Sequence, residues 1–259
     1  MRLQLLFLFV FFNSYLSYNQ IALKKIDSIK YENSYRLISV DNLEEFYFLE
    51  GYNLRKGEDY VFSDSSLGPL SKVDIYNNFK LKLWYSSFNT LVILDNFLNE
   101  ITRIDFNKIS SLFEIANISS ANENNVWVFD ESVMRIKKFD FFKKVFIENI
   151  ETQIEGNLIE MKSNYNYLWV LTEKYFYKIS YNGLIIFKIE NEYEYSKLGF
   201  YNDNVLLSNS SEIFHFKNKE ELLVKINLEK LFIKDFFVIN ETLYIYDKDH
   251  LNKYIISTY

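Results

Sequence analysis

Few side chains in this sequence combine the type and the spacing that chemistry needs. Histidine is the usual acid or base at neutral pH, and there are two, His215 and His250. His215 sits in Glu212–Phe216 (EIFHF), where alternation sets it on the face opposite Phe214 and Phe216. No acid, base or nucleophile motif surrounds it, so it reads as a structural or surface residue. His250 ends the turn Asp247-Lys248-Asp249-His250. A metal site needs ligands converging from several parts of the chain; one turn reads as a solvated loop. Carboxylates cluster at Glu44-Glu45, at Glu190, Glu192 and Glu194, and at Glu220-Glu221. Two carboxylates facing each other across a pocket could hydrolyse a glycoside, but runs within one connection usually form a solvated face.

The remaining motifs are exclusions. There is no glycine-framed nucleophile serine, phosphate-cradling loop or dinucleotide fingerprint. The absence of cysteine removes disulfides, thiolate zinc sites, a cysteine nucleophile and a lipid-modified N-terminal cysteine. A net charge of −6 with no Lys/Arg-rich block argues against nucleic acid as a partner. These residues lead to the expectation of no catalytic, cofactor-binding or metal-ligating residue and of a chain that is not an enzyme.

The element that positions everything else is a repeat. Ser71–Phe106 holds apolar runs separated by turns at Ser86–Asn89 and Asp95-Asn96, which is one sheet of an antiparallel meander. Similar sets recur at roughly 35–45 residues, the period of a four-stranded propeller blade. The second run of each set aligns best: FYFL, LKLWY, VWVF, LWVL, VLLS and LYIY. Near-continuous apolar runs of this kind predict inner strands buried on both faces. Trp84, Trp127 and Trp169 fall at equivalent places in them, which argues for packing between blades over ligand stacking. Asn-rich turns at Asn124-Asn125, Asn164–Asn166 and Asn202–Asn204 are expected to adopt left-handed geometry in place of glycine, of which there are six. The reading is all-β: a β-propeller of about six four-stranded blades. Its last set lacks a fourth strand, and the spare segment Ile21–Ile29 is expected to complete it and close the ring. A β-sandwich also has regularly spaced short strands, but the repeat disfavours it.

Residues 1–20 (MRLQLLFLFVFFNSYLSYNQ) have one positive charge, an apolar core from Leu3 to Phe12 and a polar end, the plan of a secretory signal peptide. The core is too short to span a bilayer, and no later stretch is long and charge-free enough to do so. The expected organisation is a leader at 1–20, cleaved after Asn19, and one propeller domain at 21–259, soluble and not membrane-spanning once the leader is removed. The sequons at Asn117, Asn209 and Asn240 are expected by chance in an Asn-rich chain, and Asp27-Ser28-Ile29 matches a short O-glycosylation pattern of exported Bacteroidota proteins.

Leu67–Ile101 carries a resemblance. From Lys80 through Phe88–Asn96 (FNTLVILDN) to Asn99-Glu100-Ile101, with a further match at Asn125–Asp130 (NVWVFD), the chain resembles an exported β-propeller family of the Bacteroidota, flavobacteria especially. Members have an Asn-Pro pair where this chain has Asn77-Asn78, a departure expected to loosen that turn. The resemblance extends to the periplasmic plug subunit of the type 9 secretion translocon, which closes the inner side of a large outer-membrane barrel. It implies a periplasmic protein at the inner side of the outer membrane, with an outer-membrane or periplasmic protein complex as partner. Two functions follow as expectations: a non-catalytic interaction protein docking through one rim of the ring, or an exported enzyme or ligand-binding propeller acting on glycans or peptides in the central channel. In the second, Glu192, Glu194 and Asp247 are the residues to test.

Overall fold

The computed structural model describes residues 21–30, 36–41, 45–110, 112–217 and 222–258. The leader at 1–20, Glu44 and Glu220-Glu221 lie outside the described residues. Among the described residues twenty-four strands form six four-stranded antiparallel sheets. Strand β1 (Ile21–Lys30) is followed by the first blade, β2 (Arg36–Val40), β3 (Phe46–Glu50), β4 (Asn53–Lys56) and β5 (Tyr60–Ser63). The second blade is β6 (Lys72–Asp74), β7 (Leu81–Tyr85), β8 (Thr90–Leu94) and β9 (Glu100–Asp105). The third is β10 (Ile115–Ser120), β11 (Asn125–Asp130), β12 (Arg135–Asp140) and β13 (Val145–Gln153). The fourth is β14 (Leu158–Ser163), β15 (Tyr167–Thr172), β16 (Tyr175–Ser180) and β17 (Ile185–Glu190). The fifth is β18 (Lys197–Tyr201), β19 (Asn204–Ser208), β20 (Ile213–Lys217) and β21 (Leu222–Lys225). The sixth takes β22 (Asp235–Ile239), β23 (Thr242–Tyr246) and β24 (His250–Thr258) from the C-terminal end of the chain and β1 from the N-terminal part.

The six-blade ring is therefore closed by β1, as the spare segment predicts. It pairs antiparallel with β24 from Ile21↔Thr258 to Lys30↔His250, with one register shift near Asp27. This pairing covers the backbone edge that a three-stranded last blade would expose.

Each blade's first strand lies next to the axis. The second strands are one step out, correcting their placement as the innermost. Their burial has a different cause: β7, β11, β15 and β19 are covered on both faces by the adjoining blades, and every residue of β7 is buried. Trp84 packs in the cluster joining the second and third blades, Trp127 in that joining the third and fourth, and Trp169 in that joining the fourth and fifth. Burial of such aromatics is the main source of cohesion between blades.

The turns depart from the expectation of Asn in left-handed geometry. Asn202 adopts it (φ 52°), but Glu123 (φ 55°) and Tyr165 (φ 65°) occupy that position in the other two turns. There the asparagines act through their side chains: Asn164 Oδ1 accepts from Tyr167 N at 3.0 Å, and Asn124 Oδ1 accepts from Lys80 Nζ at 2.6 Å. At Asn77-Asn78, Asn77 Oδ1 accepts from Phe79 N at 3.0 Å and Asn77 O from Lys80 N at 3.0 Å. These bonds close the turn without proline.

Candidate functional site

The first strands run in the same direction around the axis and enclose a channel of about 800 Å³, within the size range of small-molecule sites. Alternation along a strand turns every second side chain toward the axis. It sets Lys72 and Asp74 of β6, Glu160 and Lys162 of β14, Lys197 of β18, and Asp235 of β22 on the channel wall with Arg36 of β2. Arg36 pairs with Asp235. The others form one connected cluster. Lys72 Nζ donates to Asn117 Oδ1 at 2.8 Å and reaches past β10 to Met161 O at 2.5 Å. Glu160 Oε2 accepts from Leu198 N at 2.6 Å and Oε1 from Lys162 Nζ at 2.9 Å, while Lys162 also donates to Leu198 O. Asp74 Oδ2 accepts from Ser120 N at 2.7 Å and Ser119 Oγ at 3.4 Å; Oδ1 accepts from Ser120 Oγ at 2.7 Å and Tyr76 N at 3.1 Å.

These groups are walled in by protein yet keep contact with the channel: Glu160 and Lys162 are 16% and 32% exposed. Burial pushes the Lys72 ammonium down to about 8, with Asp74 and Glu160 opposing and Lys162 and Lys197 adding to the shift. Burial would raise the Asp74 carboxyl, but the charges of Lys82 and Lys72 and hydrogen bonds from Ser120 outweigh it and hold it low. The same contest at Glu160 is decided downward by Lys162, Lys197 and the Leu198 amide. At one mouth of the channel the Tyr76 and Tyr165 rings meet edge to face, centroids 4.5 Å apart. Tyr165 holds its left-handed backbone there, a conformation disfavoured for a bulky residue.

The residues singled out in the sequence lie elsewhere. His215 is buried in β20, its ring 6.4 Å from that of Tyr201, a structural setting. His250 stays on its turn, Nδ1 3.9 Å from Asp247 Oδ1. Glu190, Glu192 and Glu194 are exposed at the outer end of β17 and on the connection that follows it. Neither they nor Asp247 line the channel, so the expected convergence of Glu192, Glu194 and Asp247 is corrected: they sit on connections, whereas the channel is reached from the first strands. Asn117, the first sequon, is occupied by Lys72 within the wall. Among the described residues no group of three or more His, Asp or Glu side chains is placed to hold a metal. The signal for the channel residues was present as Lys-x-Asp at 72/74 and Glu-x-Lys at 160/162, charged pairs at strand spacing in the first strand of a repeat.

A second feature lies on the face formed where first strands lead into second strands and third into fourth. Across blades one to four it exposes Phe46, Tyr60, Tyr76, Phe79, Phe97, Phe142 and Tyr181. Tyr60 and Phe97 meet across the first two blades at 5.5 Å, Lys80 Nζ lies 5.8 Å from the Phe142 ring, and Asn122 Nδ2 donates to Tyr181 Oη at 2.8 Å. The opposite face exposes Tyr52, Phe88, Tyr193 and Phe232, one on each of four blades.

No family model and no curated protein sequence matches the chain. Solved structures similar to it are propellers. One is virginiamycin B lyase from Staphylococcus aureus, with a TM-score of 0.58 and 10% identity over 91% of this chain and 99% of that one. Another is BBS1N in complex with ARL6DN, with a TM-score of 0.63 and 10% identity over 85% of this chain and 78% of that one. A third is a protein of unknown function from Bacteroides thetaiotaomicron, with a TM-score of 0.61 and 8% identity over 93% and 77% of the respective chains. At these identities the likeness establishes the fold. It also corrects the expectation that the chain is not an enzyme: the lyase is an enzyme on this fold, and missing sequence motifs cannot exclude chemistry whose residues are gathered from separate blades.

Proposed function

We propose that this propeller is an exported interaction protein that docks on an outer-membrane protein assembly through the aromatic face of blades one to four. The carrying observation is that face. Exposed aromatic residues are enriched at the centres of protein interfaces and supply much of their binding energy, and here seven of them stand on one face of four blades. BBS1N, in complex with ARL6DN, illustrates a propeller engaging a protein. The leader supports export to the periplasm, and Leu67–Ile101 supports a place at the inner side of the outer membrane as a plug-like subunit of the type 9 secretion translocon. A closed ring of six packed blades has the rigidity to stop an opening.

The test is purification of a C-terminally tagged chain from its native envelope in mild detergent, followed by mass spectrometry. The expected result is one large outer-membrane barrel in near-equal amount. The combined variant Phe79→Ser, Phe97→Ser and Phe142→Ser should lose that barrel while keeping the circular dichroism and melting temperature of the parent. Isolation as a lone monomer, or undiminished recovery with the combined variant, overturns the proposal.

A further inference from the structure

The channel carries an inference independent of docking. Lys72, Lys162 and Lys197 come from three different first strands yet stand at one level of the wall. The hydrogen bonds fix that level: Lys72 to Met161 O, Lys162 to Leu198 O beside Lys197, and the Leu198 amide to Glu160. Three ammonium groups face two carboxylates, Asp74 and Glu160, leaving an excess of one positive charge inside a protein whose net charge is −6. The carboxylates are engaged by protein donors: Asp74 accepts four hydrogen bonds and Glu160 two.

The ammonium groups are not used up. Each carries three donors and no acceptor. Lys72 and Lys162 have each spent two donors on protein oxygens. The Lys197 side chain makes no hydrogen bond or ion pair to the described residues, although it lies close enough to influence Glu160. Donors therefore outnumber acceptors where the three strands meet, and the shortage is of negatively charged oxygen. The Arg36–Asp235 pair is neutral, and Asp41, the remaining carboxylate of the lining, is paired with Lys56 at 3.8 Å, so neither corrects it.

We propose that the central channel is a binding site for a small molecule bearing an oxyanion group, a carboxylate or a phosphate, held by Lys72, Lys162 and Lys197. Charge-assisted hydrogen bonds from several ammonium groups are the strong kind, and the low dielectric of a walled channel increases their strength. The about 800 Å³ of space leaves room for an organic body beyond the anionic group, with the Tyr76–Tyr165 pair at the mouth to receive an apolar or sugar face.

The experiment is isothermal titration of the purified chain with inorganic phosphate, succinate and, as the uncharged comparison, glucose. Saturable one-to-one binding of phosphate or succinate, and none of glucose, is the expected result; which anion binds identifies the group. Lys197→Met should weaken that binding at least tenfold, Lys197→Arg should restore most of it, and Lys143→Met, on an exposed connection, should leave it unchanged. Because the Lys197 side chain makes no hydrogen bond or ion pair to the described residues, its variants are expected to melt with the parent. Lys162→Met, which releases Glu160, is the second arm and should weaken binding in the same sense. Absence of binding by either anion to folded protein, or equal affinity of the parent and Lys197→Met, overturns the proposal.

Discussion

The seam between the fourth and fifth blades and the wall of the channel are both interior, and they are made by adjacent strands of the same sheets. They are held by opposite means. In the seam, the Trp169 ring stacks on Phe176 with centroids 5.5 Å apart and meets Phe187 and Phe216 at 5.8 and 6.0 Å. On the wall, Lys72, Asp74, Glu160 and Lys162 are tied to neighbouring strands by charge-assisted hydrogen bonds. The difference lies in what each strand faces. A second strand is covered by protein on both sides, so a charge there must be partnered, as Lys82 is by Lys80 O and Asp74. A first strand has one side on the channel and can carry ionised groups whose charge is partly solvated. Cohesion of the ring is therefore concentrated in the seams, and ligand recognition is open to the wall.

The largest effect should come from emptying a seam. Trp169→Ala removes a fully buried ring and should destabilise the fold by about 3–5 kcal/mol, read as a shift in the urea midpoint at unchanged slope. Trp169→Phe should cost clearly less, because the indole N–H has no hydrogen-bond partner to lose. If Trp169→Ala cost no more than removal of a wall lysine, the division between seam and wall would fail.

The seams were legible in the sequence and the wall was not, for a physical reason. Burial on both faces leaves continuous apolar runs such as LKLWY and YLWVLT, and these display the repeat. The first strands are short or irregular: β6 is three residues long, and β10 and β14 each carry a register shift against the next strand. Their half-solvated character gives mixed sequences that look like loop. Lys72 and Lys197 are distant in sequence and meet only when the ring closes, so no local pattern could pair them. Closure itself was readable because Ile21–Ile29 was an unmatched strand and the last repeat lacked one. The attention given to Glu192 and Glu194 followed density of charge along the chain, which marks solvated connections as often as sites.

A smaller effect is expected where wall and seam meet. Gly199 of β18 lies against Phe236 of β22, and a Cβ there would stand 2.7 Å from Phe236 Cε2. Gly199→Ala should force the ring or the strand to shift, at about 1–3 kcal/mol. The shift should also narrow the channel beside Lys197, so phosphate or succinate affinity and the melting temperature should fall together. Loss of stability with unchanged anion affinity would show that the wall holds its shape independently of the packing behind it.

The most gradual effect, and the one that separates the two regions most sharply, is a dependence on pH. Lys72 is held at about 8 against an ordinary value near 10.5, and the groups around it are Asp74, Glu160, Lys162 and Lys197. Between those values the unfolded chain keeps a proton that the folded chain has released. Stability should therefore rise as pH increases from about 8 toward 10, with a slope of at most ~1.4 kcal/mol per pH unit for one proton. Lys138, pushed by burial to about 8 with Glu123 opposing, adds a term of the same sign. The buried tyrosines act oppositely but later. Burial raises Tyr85 to about 12, so the folded chain retains its proton above pH 10 and stability falls there. Asp74 and Glu160, held low, contribute stability that is lost as pH falls through their folded values. Urea midpoints measured from pH 7 to 10 should rise for the parent, rise less for Lys72→Met, and rise least for the variant lacking both Lys72 and Lys138, in which Lys82, also held low by burial, still contributes. Parallel curves for the parent and Lys72→Met would mean that water and neighbouring carboxylates solvate the Lys72 ammonium as well as bulk solvent does. The wall would then have no unmet demand for an anion at Lys72.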